Sequence, residues 1–350
     1  MSTATITNNN QTSLRPVQKR LDAFKANRRA WWSLLIFTVL FSISLVSELI
    51  ANDKPVFVSY QHKWFFPALV SYPETTFGGD FDTEADYTDP YVEKLINSHG
   101  YMIWPVVHYS YDTHIQDLSV PAPSPPSRRN WLGTDDQARD VFARILYGFR
   151  ISVLFAFALT LGSSIIGIAV GALQGYFGGW IDLSGQRLLE IWSGLPVLFL
   201  LIIMSSIVTP NIWWLLLIML MFSWTSLVDV VRAETLKTRK LEYVTAARAL
   251  GLTNMAILFR HILPNALVAA MTYIPFIMSG AIGTLTSLDF LGFGLPPGSA
   301  SLGELLAQGK ANINAPWLGL SGFFCVSILL TLLVFIGEGI RDAFDPRLNR

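Results

Sequence analysis

The chain has 350 residues, 52% of them hydrophobic and 14% charged, with 25 acidic side chains against 25 basic ones. A neutral balance excludes the basic excess that attraction to nucleic acid requires. Several apolar runs reach the roughly 20 residues that carry a helix across about 30 Å of hydrocarbon, which excludes a soluble enzyme and marks an integral membrane protein.

Residues 1–29 form a polar, basic start with Arg15, Lys19, Arg20, Lys25, Arg28 and Arg29. The first apolar run, Ala30 to Ala51, is not followed by a small-residue cleavage pattern, so it is read as a retained span rather than a signal peptide. Residues 52–149 are too long and too aromatic for a linker. Trp64, Phe65, Phe66, Tyr91, Tyr101, Trp104, Tyr109 and Tyr111 are expected to supply a small core. Within this stretch "TDPYVEKLINSHG" predicts a short helix capped by Asp89, opened by Pro90 and stopped at Gly100. "YMIWPVVHYSY" has the β-branched and aromatic bias of strands, and "PAPSPPSRR" reads as a stiff spacer. A small mixed α/β lobe is therefore expected between the first two spans.

Residues 150–338 carry the remaining apolar segments: Ile151 to Leu173, Arg187 to Val208, Ile212 to Val231, Ala266 to Thr286 and Trp317 to Ile336. The loop after the fourth span holds Arg232, Lys237, Arg239, Lys240, Arg248 and Arg260. The positive-inside bias puts this loop, the start of the chain and the tail 339–350 on the cytoplasmic side, with the lobe outside. Six crossings agree with that assignment.

Ionisable groups near the spans are few: Glu190, Asp229, Asp289 and Glu338, each close to an end where Arg187, Arg232, Arg341 or water compensates it. Structural anchoring is the favoured reading over a proton relay. His108 and His114, six apart beside Asp112 and Asp117, fit neither one helix face nor a compact zinc loop, and solvated or core histidines are favoured over a metal site. Ser163, Ser164, Ser205 and Ser206 are read as helix-contact residues before pathway ones. The lone Cys325 is read as packing. No phosphate-binding loop, H-E-x-x-H or G-x-S-x-G occurs, so neither nucleotide hydrolysis nor the common hydrolytic sites can be placed in this chain.

Residues 232–264 differ from the rest. "LEYVTAARALG" predicts a short helix whose Val244, Ala247 and Leu250 share one face, with Ala246 and Ala249 beside it and Gly251 as its stop. Thr253 is expected to cap a second helix through "NMAILFRHIL", with Met255, Ile257, Leu258 and Ile262 as its apolar contacts, and Pro264 to open the next span. Small residues there would let another protein approach closely, with Arg248 and Arg260 free to meet its acids. A short amphipathic hairpin lying on anionic lipid fits these residues equally well.

The order Ala246, Ala247, Gly251, Leu263, Pro264 resembles the "EAA" loop of permease subunits of ATP-binding-cassette importers. Thr245 stands where that family often has glutamate, and His261 where isoleucine is common. Ahead of the second span, "NWLGTDDQARDVFARILYGFRISVLFA" resembles the peptide and nickel branch through Gly133, Asp135, Arg139, Asp140, Arg144 and Arg150, with Ala138 replacing the usual glycine. "GYFGGWIDLSGQRLLEIWSGLP" and the tail "GEGIRDAFDPRLNR" match the same branch. Details around the lobe look like permeases implicated in uptake of peptides and the peptide-nucleotide antibiotic microcin C.

The resemblance implies an all-α permease of six transmembrane helices in a bacterial inner membrane, with both termini cytoplasmic. It implies that Glu242, Thr245, Ala246, Ala247, Arg248, Gly251, Arg260, His261, Leu263 and Pro264 form a coupling loop fitting a groove on an ATPase. It implies as partners a second homologous permease, two ATPase domains that hold ATP and magnesium, a periplasmic peptide-binding protein and membrane lipid, with no cofactor or metal on this chain itself. A membrane sensor using the lobe for ligand, or a membrane enzyme, is the rival. The first lacks a sizeable cytoplasmic domain and the second lacks clustered catalytic groups.

Overall fold

A computed structural model describes residues 16–205, 207 and 211–344. Arg15, Ser206, the end of the third apolar segment at Val208, most of the link after it and the tail from 345 lie outside the described residues.

The chain opens with α1 (Pro16–Ala26) and α2 (Arg28–Leu45), the latter capped by Asn27, whose side chain accepts from the Ala30 N–H. The first expected span ran to Ala51, but α2 stops at Leu45, and a separate turn α3 (Ser47–Ile50) follows a break at Val46. Beyond it lies the lobe, built on β1 (Phe57–Tyr60), β2 (Lys63–Phe65) and β3 (Gly100–Ile103) in the antiparallel order β2-β1-β3, with α4 (Pro90–His99) against it. Asp89 caps α4 by accepting from the Tyr91 N–H at 2.8 Å, and Gly100 ends it in extended backbone.

The lobe's core departs from the aromatic set the sequence predicts. Val58, Tyr60, Phe77, Ala85, Tyr87, Val92 and Ile96 are buried together, with Phe65 and Trp104 partly so. Trp64, Phe66, Tyr91 and Tyr101 are exposed, and Tyr109 and Tyr111 pack instead beside Ala51 and Tyr147 at the lobe's root. The cause is strand alternation. Val58 and Tyr60 point one way, while Phe57 points the other and meets Trp64, Phe66 and Tyr101 on the open face of the sheet.

The membrane part centres on α5 (Val141–Phe177), 37 residues and ~55 Å long at 1.5 Å per residue, which begins ten residues before the expected span. A bent pair follows, α6 (Gly179–Ser193) and α7 (Val197–Ser205), inclined at 62°. The sequence predicts one straight span from Arg187; Pro196 prevents it, because it has no N–H to donate and its ring collides with the carbonyl four residues back. Then come α8 (Ile212–Ser223) and α9 (Thr225–Thr238), a nearly continuous stretch. The chain continues through α10 (Glu242–Ala249), α11 (Asn254–Ile257), α12 (Leu263–Phe290), α13 (Leu302–Ala311) and α14 (Pro316–Phe344). Among the described residues five helical stretches are long and apolar enough to cross a membrane, and the bent pair makes a sixth. The start of α2 and the end of α14 lie together: Asn27 donates to Asp342 at 3.2 Å, and Arg20 sits over the Phe344 ring.

The contact between α5 and α9 depends on a glycine seam. A Cβ at Gly167, Gly171 or Gly175 would lie 2.6–2.8 Å from the carbonyl oxygen of Trp224, Val228 or Arg232. The four-residue spacing puts these glycines on one helix face, where they let two backbones touch inside lipid.

A buried charge cluster fixes the lobe-side end of α5. Asp140 caps the helix, accepting from the Ala143 N–H at 2.9 Å and from the Asn130 amide at 2.8 Å. Arg139 meets Asp135 at 2.7 Å and Glu304 at 2.9 Å, while Arg144 meets the other Glu304 oxygen at 2.9 Å and donates to the Ser299 carbonyl. Arg139, Arg144, Asp135 and Asp140 are shut off from solvent. Burial works against the Arg139 charge, yet Asp135 and Glu304 hold its guanidinium above the usual range. Burial pushes the Asp140 carboxyl up, against the hydrogen bonds from Ala143 and Asn130 that lower it. Nearby, Arg150 meets Glu48 at 2.7 Å, tying α5 to α3.

In the turn before α5, Ala138 has φ +60°, a left-handed conformation that suits glycine. The glycine usual in the resembling branch is explained by this geometry. Replacing Ala138 by glycine is expected to raise stability by about 1 kcal/mol, read as a higher unfolding temperature in detergent. Glu304→Ala removes the carboxylate that the two buried arginines share and leaves Asp135 alone between them, and is expected to cost about 3 kcal/mol, read by the same unfolding measurement.

Candidate coupling surface at the loop-side end of the bundle

The segment between α9 and α12 folds as a helix, a tight turn and a second helical arm. In α10, Val244 and Ala247 are buried against Leu227, Val231, Ile257 and Ala266, which seats the arm on α9 and α12. Leu250 does not share that face and is 81% exposed. The helix has ended one residue earlier, and the chain closes as a Schellman turn: Leu252 N–H donates to the Ala247 carbonyl and Gly251 N–H to that of Arg248. Gly251 takes φ +80° in open space, so a side chain there would meet backbone strain and no neighbour.

Thr253 caps α11 by accepting from the Ala256 N–H at 3.3 Å. Ile257, Leu258 and Ile262 are buried as the sequence predicts, but Met255 is 52% exposed. The second helix is also not the regular α-helix expected. After one α-turn, Leu258–Ile262 form a π turn in which Leu263 N–H donates to the Leu258 carbonyl, and the chain runs straight on into α12. Pro264 accounts for this, since it cannot donate to the Arg260 carbonyl and its ring crowds that oxygen.

The remaining family-matched positions fall around this hairpin. Glu242 opens α10, and Thr245, Ala246, Arg248 and Arg260 are exposed, with the Thr245 hydroxyl donating back to the Leu241 carbonyl at 3.4 Å. The His261 carbonyl accepts from Tyr243 and Asn265, each at 3.4 Å, and the Asn265 amide donates to the Tyr243 hydroxyl at 2.7 Å. Leu263 and Pro264 begin α12. Gly133, Asp135, Arg139, Asp140, Arg144 and Arg150 lie at the opposite end of α5, so the two motif sets do not form one site.

The exposed surface is therefore broader than an alanine face. Leu250, Met255, Phe259 (63% exposed) and Tyr243 add apolar bulk around Ala246 and Ala249, with Arg248 and Arg260 among them. Leu250 and Phe259 escape sequence reasoning because apolar side chains at helical spacing read as core; the available signal was their place beside Gly251 and Arg260. Glu304 also escapes it, although it sits in the Ser301-x-x-Glu304 pattern of a helix start, where Ser301 accepts from the Glu304 N–H.

Charges near the spans are paired within the chain where partners exist. Arg187 meets Glu190 at 2.5 Å, and Asp289 accepts from the Ser301 hydroxyl and the Leu295 N–H. Arg232, expected near Asp229, is bonded to Asp182 instead, with Nη2 at 2.8 Å from it. Ser163 donates to the Thr160 carbonyl of its own helix. His108 lies against the Trp104 ring, and among the described residues no three histidine, cysteine or acidic side chains group as metal ligands would.

Residues 148–350 match the family described as binding-protein-dependent transport system inner membrane component. The chain is 57% identical over 334 residues to the inner membrane ABC transporter permease protein YejE of Escherichia coli (strain K12), across 95% of this chain and 98% of that one. It is 53% identical to the peptidoglycan transport system permease protein YejE of Agrobacterium fabrum, across 94% and 93% of the two chains. The oligopeptide transport system permease protein OppC of Mycobacterium tuberculosis is 36% identical over 258 residues, 71% of this chain and 85% of its own. With a bent-span helical bundle, a surface hairpin and these relatives together, the chain belongs to the inner membrane permease components of binding-protein-dependent ATP-binding-cassette transport systems.

Proposed function

We propose that this chain forms half of a translocation pathway for peptides, completed by a second, homologous permease and driven by two ATPase domains that bind ATP and magnesium. A periplasmic binding protein delivers the peptide. The lobe, residues 52–149, faces the periplasm, and residues 1–29, 232–264 and 339–350 face the cytoplasm, in keeping with the basic side chains of the loop and the N-terminal segment.

The observation that carries this reading is the hairpin of α10 and α11. Its Val244 and Ala247 side holds to the bundle, while Leu250, Met255, Phe259, Arg248 and Arg260 remain uncovered at the end of the bundle opposite the lobe. Apolar bulk rimmed by arginine is the composition of a protein interface core, and it favours docking onto an ATPase groove over lying on lipid. The substrate class is supported by relatives named for oligopeptide and peptidoglycan transport, whose shared chemistry is a peptide chain. Peptide-bearing conjugates such as microcin C fall within that class. In transport, closure of the ATPase domains displaces the hairpin, and the helices joined to it switch the pathway between its two sides.

Two substitutions test the surface. Leu250→Asp changes an exposed side chain without disturbing the bundle, and is expected to weaken association with the ATPase by about tenfold or more, with uptake falling alongside. Gly251→Val forces a β-branched residue into left-handed backbone and is expected to do the same, while membrane insertion is unchanged. Copurification of the ATPase and uptake of labelled peptide into vesicles holding both permeases, the ATPase and the binding protein are the measurements. Undiminished copurification with both variants sinks the coupling reading.

A further inference from the structure

The loop-side end of α5 meets both arms of the hairpin through one side chain. Tyr176 is buried, and its hydroxyl donates to the Asn254 side-chain oxygen at 2.8 Å, at the first position of α11. The Arg248 guanidinium of α10 lies 6.0 Å from the centre of its ring. The helix end itself is held by Arg239, whose Nη1 donates to the Gly175 carbonyl at 3.0 Å and to the Tyr176 carbonyl at 3.1 Å. A Cβ at Gly178 would lie 2.6 Å from that nitrogen, so the turn after α5 is shaped around the arginine.

From this end α5 runs unbroken to the lobe side, pressed on α9 by the glycine seam and clasped there by Glu304 and Glu48. A helix of this length, continuous and fixed along one face, moves as a piece. We propose that Tyr176 is a positioning residue for transport: its hydroxyl fastens the hairpin to α5, so that displacement of the hairpin is delivered along α5 to the charge cluster at the lobe. This rests on the hairpin being the ATPase-coupling element. The Tyr176 ring packs within the loop-side core, so phenylalanine keeps the packing and removes only the link.

The test uses the complete transporter with Tyr176→Phe, Asn254→Ala, their combination, and Asn254→Asp, which keeps an acceptor for the hydroxyl. Each variant is assayed for ATPase copurification, ATP hydrolysis and peptide uptake. Tyr176→Phe is expected to retain the ATPase and its hydrolysis, while uptake per ATP hydrolysed falls on the order of fivefold, the effect of one hydrogen bond. Asn254→Ala should show the same loss, the double variant no further loss, and Asn254→Asp a ratio near that of the unaltered protein. An unchanged ratio in Tyr176→Phe overturns the proposal, as do additive losses in the double variant or loss of the ATPase from Tyr176→Phe. The coupling reading fails separately, through retention of the ATPase by Leu250→Asp and Gly251→Val.

Discussion

The backbone-to-backbone contact of α5 with α9 is the constraint on which the other placements depend. Between helices in lipid there is little hydrophobic drive, so association rests on close packing and on polar groups satisfied within the protein. Gly167, Gly171 and Gly175 supply the closeness, and Arg239 and the Arg232–Asp182 pair supply polar closure at the end of the seam. With α5 fixed in this way, its two ends serve different purposes. One receives the hairpin, and the other anchors the lobe and α13.

The two ends differ in their charge chemistry. At the lobe side Arg139 and Arg144 are fully enclosed, and each has a carboxylate within hydrogen-bond reach, because an unmatched buried charge is far more costly than the pair is worth. At the loop side Arg248 and Arg260 are exposed, and among the described residues no hydrogen bond or ion pair occupies their guanidinium groups. Enclosed charge at the lobe side specifies one arrangement of lobe, α5 and α13. Uncovered charge beside Leu250 and Phe259 remains available to a second surface.

Much of the plan was legible in the residues. Asp89, Pro90 and Gly100 marked α4 through capping rules, Gly251 marked its turn, and the apolar runs located the membrane helices with ends displaced by up to ten residues. What escaped had identifiable causes. The straight third span failed at Pro196, and the regular second arm failed at Pro264, both cases of a missing N–H. The lobe's core was misassigned because aromatic content gives no indication of which way a strand residue points, whereas the alternation of Phe57, Val58, Ser59 and Tyr60 decides it. Leu250 reads as inward only when helical spacing is extended past the point where α10 ends, and Met255 stands within α11 but off its buried face. Glu304 and Tyr176 were unreadable for another reason: their partners lie 165 and 78 positions away, and no local pattern encodes such a pairing.

The π turn at Leu258–Ile262 bears on the aim of the hairpin. Such a turn contains one residue more than the α-helix it interrupts, and each residue in an α-helix rotates the chain by about 100°. The wide turn takes that additional residue up locally, so the arm before it and α12 after it keep the facing that a regular helix one residue shorter would give them. The facing of Leu250 and Met255 relative to α12 therefore tolerates the additional residue that Pro264 imposes.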